Sequence, residues 1–146
     1  MINSGEFEIK ALSSLEKVFH DDDLSKKNET TSFIMYKNQK LCYQVAFLSK
    51  TPIETVKRYP RAQITFTGSL AKYASVRQVQ SVANLYPVNE SNVDEDYIRR
   101  DVGLYPDVLE EVLYGDSVTI PCNIASSLWI NVDLPKRFKA GEYDLT

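Results

Sequence analysis

Histidine is nearly missing from this sequence: His20 is the sole example in 146 residues. That removes the partner on which Ser/His, Cys/His and most zinc chemistry depends. Cysteine occurs twice, at Cys42 and Cys122. Each lies in an apolar, strand-like run and reads as an unpaired core thiol, since nothing in the spacing requires a disulfide. Five glycines are scattered along the chain, so no glycine-rich loop is available to cradle a phosphate. Basic residues are in deficit: 17 Lys and Arg against 20 Asp and Glu give a formal charge of −3, the wrong balance for a nucleic-acid surface. The densest basic cluster, Lys136, Arg137 and Lys139, reads as a solvated turn between strands. No apolar run reaches the length of a membrane span, and Met1 to Lys10 lacks the pattern of a secretory leader. The expected location is cytoplasmic, or outside the cell for a secreted parent whose leader has been removed. Internal repeats, low-complexity tracts and helix-period patterns of ten residues or more are also lacking.

What the chain does have is aromatic side chains, 11% of the total, with nine Tyr and six Phe. These favour strands. Phe7, Ile9 and Ala11 alternate with Glu8 and Lys10, the period of a half-buried strand. Glu16 to Phe19 is a second short run. Thr31 to Tyr36 and Lys40 to Leu48 read as two strands around a Lys37-Asn38-Gln39 turn. The second carries apolar residues on both faces, as a central strand would. Gln63 to Thr67 alternates up to Gly68. Ala74 to Leu85 is a strand whose valines at 76, 79 and 82 imply a bulge near Gln78. Asp101 to Tyr114 reads as a loop with a one- or two-turn helix after Pro106. Ser117 to Asn123 is a short strand bent at Pro121. Ser127 to Leu134 is a strong strand ended by Pro135, and Glu142 to Thr146 opens another. The pattern predicts a single all-β domain over residues 1–146, an antiparallel β-sandwich of jelly-roll or immunoglobulin-like type with one short helical turn.

Candidate chemistry is sparse. Asp21-Asp22-Asp23 lacks the spaced ligands, central glycine and distal glutamate of a calcium loop, so it reads as a polar turn. Asn28-Glu29-Thr30 and Asn89-Glu90-Ser91 match a glycosylation acceptor pattern that arises often by chance. Asp94-Glu95 and Glu110-Glu111 supply carboxylates, but nothing brings two of them to a defined separation across a cleft. No catalytic, metal or cofactor residue is therefore assigned. Trp129, Tyr97 and Tyr105, with Tyr59, Tyr73, Tyr86 and Tyr114 behind them, are the candidates for stacking on a sugar or on a neighbouring domain. As the alternative to a sugar platform, Trp129 lies in the sandwich core or against the following domain.

Three segments, in order, resemble the N-terminal domain of glycoside hydrolase family 123 and of its relatives with a domain-of-unknown-function 4091 barrel. The first is Leu12 to Phe19 followed by Asn28 to Phe33, although Phe33 is followed by Ile34 where the family has Gln. The second is Tyr105-Pro106-Asp107-Val108-Leu109, within Tyr97 to Leu109. The third and most specific is Leu128-Trp129-Ile130-Asn131-Val132-Asp133-Leu134-Pro135 with Ala140-Gly141-Glu142-Tyr143. The resemblance implies a β-sandwich ahead of a (β/α)8 barrel, with the catalytic acidic pair in the barrel. On that reading the chain is a non-catalytic accessory domain, the N-terminal part of a longer glycoside hydrolase, hexosaminidase-like. Its partner is the downstream barrel, and it carries an exposed apolar patch where that barrel docks. A carbohydrate-binding module and a protein-interaction sandwich are the alternatives.

Overall fold

A computed structural model describes residues 7–51, 59–87, 91, 96–112 and 117–146. The alternating segment Phe7–Ser13 forms β1, and the two-sided apolar run forms β2, Lys40–Ser49. There follow β3 (Arg61–Gln63), β4 (Ala74–Asn84), β5 (Gly103–Glu111), β6 (Ser117–Thr119) and β7 (Ser126–Asp133). Five of them make one antiparallel sheet in the order β1-β2-β7-β4-β5, and β3 pairs with β6 in a second, two-stranded sheet.

The register explains the core. Ile130 of β7 sits between Tyr43 of β2 and Val76 of β4. With Leu128 and Phe47 it packs against buried Val118 and half-buried Ala62 on the second sheet and against half-buried Ile64 and Phe66 just beyond β3. Removing such a side chain costs about 2–5 kcal/mol, because a close-packed interior cannot collapse into the gap. The fold is thus the expected all-β sandwich. The opposite face of the large sheet is covered in part by the connection after β1, whose Val18 and Leu24 bury against Leu12, Ala46 and Ala125.

Several local expectations are corrected. The segment Asp101 to Tyr114 is not a loop with a helical turn: Gly103–Glu111 is the edge strand β5. Pro106 misled the reading, yet an edge strand tolerates proline, above all at a bulge. The register indeed slips between Gln80 and Ser81, where Val108 and Pro106 are successive partners. That irregularity lies two residues beyond the expected Gln78. The helical turns are 3-10 turns elsewhere, at Leu24–Lys26 and Ala71–Tyr73. Thr31 to Tyr36 forms no strand. Both sides of β2 are already occupied by β1 and β7, so Phe33 lies against the Tyr43 ring instead, 4.9 Å between centroids. Glu16 to Phe19 is likewise irregular.

Gln63 to Thr67 is a strand only as far as Gln63, and Glu142 to Thr146 is not a strand. The two segments still meet, since Thr67 and Thr146 exchange two backbone hydrogen bonds of 2.8 and 3.0 Å. Beside them Asp144 accepts from the Ser69 hydroxyl at 2.6 Å and the Ser69 N–H at 3.2 Å. Gly68 makes this approach possible. Its φ is +96°, and a β-carbon there would stand 2.7 Å from Asp144 Oδ2.

Candidate functional site

The connection from β1 to β2 crosses the large sheet and reaches its far edge. Buried Gln44 anchors it, donating to the Glu16 carbonyl at 2.6 Å while accepting from the Ser127 hydroxyl at 3.0 Å. Next along, Lys17 Nζ donates to the Pro106 carbonyl at 3.2 Å, tying the connection to β5. The buried Phe19 ring meets Tyr105 edge-on, with centroids 5.7 Å apart. Arg99 lies 4.0 Å over the Phe19 ring and bonds Asp21 at 2.8 Å. Tyr105 donates its hydroxyl to the Asp101 carbonyl. These contacts build one wall of a cleft of about 660 Å³. Tyr97, Val82 and Asn84 line it further, and Asp96 and Asp107 bring carboxylates.

The three adjacent aspartates make three separate sets of contacts. The Arg99 hydrogen bond holds the Asp21 carboxyl below the usual carboxylate range. Asp22 accepts from the Phe19 N–H at 2.9 Å and pairs with Lys27 at 3.1 Å. Asp23 caps the first 3-10 turn through Ser25, whose hydroxyl and N–H lower its pKa. Partial burial alone would depress Lys27, but its bonds to Glu16 and Asp22 outweigh that and hold the ammonium above its ordinary value. Among the described residues no group of His, Cys, Asp and Glu is arranged to hold a metal, and no helix is long and apolar enough to cross a membrane.

Of the aromatic residues expected to stack on a sugar or a neighbouring domain, Tyr97 and Tyr105 meet in this cleft and Trp129 does not. Leu128, Ile130 and Val132 take the inward positions of β7. Trp129 therefore points to the opposite face, outside the core between the sheets, flanked by Gln44 and Arg77. It is half-buried there, and its indole N–H donates to Asn131 at 3.0 Å. Cys42 donates to the same Asn131 oxygen at 3.1 Å, and both cysteines are free thiols. Lys136, Arg137 and Lys139 lie exposed, as expected of a turn, and the Phe138 N–H closes it on the Pro135 carbonyl. Glu110 accepts from Gln80 at 2.6 Å. Asp94-Glu95, Tyr114 and Asn89-Glu90 lie outside the described residues. Sequence reasoning missed Lys17, Phe19 and Arg99, because residues up to 89 positions apart meet here and no spacing rule joins them.

No family model matches the sequence, and no curated protein matches it. Solved structures do. The chain is similar to a family 123 glycoside hydrolase from Clostridium perfringens, described for its hydrolysis of glycolipid glycans, at a TM-score of 0.62 and 17% identity. The match covers 96% of this chain and 23% of that one. At that identity the likeness is one of fold: this sandwich has the architecture of part of a much longer hydrolase chain.

Proposed function

We propose that the chain is a non-catalytic accessory sandwich of a glycoside hydrolase, packed on a (β/α)8 barrel of the same polypeptide. The observation that carries this reading is the unequal coverage, nearly all of this chain against less than a quarter of the hydrolase. The three ordered motif segments described above support it as well. A third support is the placement of apolar surface. Among the described residues 16 large apolar side chains stand exposed, and six of these, Leu85, Tyr86, Val102, Leu104, Val108 and Leu109, belong to the β4–β5 hairpin outside the cleft. Leu85 and Tyr86 are 74% and 79% exposed. Scattered surface apolar residues are ordinary, but a concentration on one hairpin favours a segment that a neighbour covers.

The coding sequence beyond Thr146 tests the proposal directly. A barrel with neighbouring acidic residues is the expected finding, and a stop codon overturns the proposal. Purified residues 1–146 are expected to leave aryl N-acetylhexosaminides intact. Turnover that survives repurification would assign the chemistry to this chain and end the accessory reading.

A further inference from the structure

The cleft at the β4–β5 hairpin has its own chemistry, which does not depend on the accessory role. Its volume, about 660 Å³, lies within the range of small-ligand sites. One wall is held rigid: Arg99 is clamped by Asp21, stacked on Phe19, and Phe19 is set edge-on to Tyr105. The Tyr97 ring, 48% exposed, supplies an open apolar surface. Two carboxylates, Asp96 and Asp107, supply acceptors. The Lys17 ammonium, which spends one N–H on Pro106, and the Asn84 amide supply donors.

We propose that this cleft binds a neutral pyranose unit of a glycan, with its C–H face on Tyr97 and its hydroxyls among Asp96, Asp107, Asn84 and Lys17. The balance of charge argues for a neutral ligand. Asp21 already matches Arg99, so an anion would find Lys17 opposed by two carboxylates. An ammonium would satisfy the carboxylates and leave the N–H groups of Lys17 and Asn84 without an acceptor. A hydroxyl both donates and accepts, so it uses both kinds of group. Trp129, the sole tryptophan, has no part in this site.

The test is a titration of the ¹⁵N-labelled chain with neutral trisaccharides of glucose, galactose and N-acetylglucosamine. Glucosamine and a glucuronate disaccharide are run in parallel. Amide shifts are expected at Ala83, Asn84, Tyr97, Arg99 and Asp107 with at least one neutral sugar. Tyr97→Ala and Asp107→Asn alter exposed side chains and should each weaken binding by about tenfold. Trp129→Phe should leave it unchanged. The proposal is overturned if no neutral sugar shifts these amides. Tighter binding of glucosamine or of the glucuronate, or shifts centred on Trp129 and Arg77, would also overturn it.

Discussion

At the residue scale, the side chains with most at stake are those that no propensity singles out. Gly68 combines a left-handed backbone with the close approach of Asp144. Gly68→Ala is expected to lose about 1–3 kcal/mol through strain, read as a lower urea midpoint, with Ser69 and Asp144 separating in the process. Ser127→Ala leaves the Oε1 of buried Gln44 without its donor, at a cost of about 1–3 kcal/mol. Leu128, in a strand of clean alternation, could be read inward from the sequence; the Gln44–Ser127 pair could not, since polar residues 83 apart carry no mutual signal. Asp21 gives a pH prediction. Its folded pKa is depressed by Arg99, so the stabilisation is present above the unfolded value and is lost as pH falls through the folded one. Carboxyl NMR should place its midpoint below that of an unfolded peptide, and Arg99→Ala should move it back up.

At the scale of elements, the strands read well where no proline interrupted them. β1, β2, β4 and β7 all fall within two residues of their expected bounds, because one buried face fixes their period. β5 was hidden by a proline, and Thr31 to Tyr36 looked like a strand for want of knowing that β2 had no free side. Local pattern reports whether a segment can be a strand, whereas the vacancy beside it is a tertiary fact. The cleft was legible only as two tyrosines. The connection after β1 is an element in the same sense, held over the sheet by Gln44 and Lys17 rather than by a ladder. Gln44→Ala should release it. Amide exchange is then expected to speed up across Glu16 to Phe19 while β7 stays protected.

For the whole molecule, the hairpin of β4 and β5 extends past the last β7 pairing, at Gln78, and carries its apolar surface into the open. The isolated chain should bind a hydrophobic dye, and Leu85→Glu with Val102→Glu should suppress that binding without lowering the thermal midpoint. The two outer margins of the large sheet are unequal in another respect. Along β5 the ladder groups are interrupted at its centre: Pro106 has no N–H and its carbonyl is taken by Lys17, beside the register slip. Along β1 seven residues run in uninterrupted register with β2 and Ile9 stands outward, although the Ala11 carbonyl accepts from the Thr30 N–H at 2.8 Å. An invading polypeptide would find the first margin broken at its centre and the second open over its first four residues, Phe7 to Lys10. Fibril growth under destabilising conditions would therefore begin at the Phe7 end of β1, where a single charged replacement at Ile9 would act as a gatekeeper.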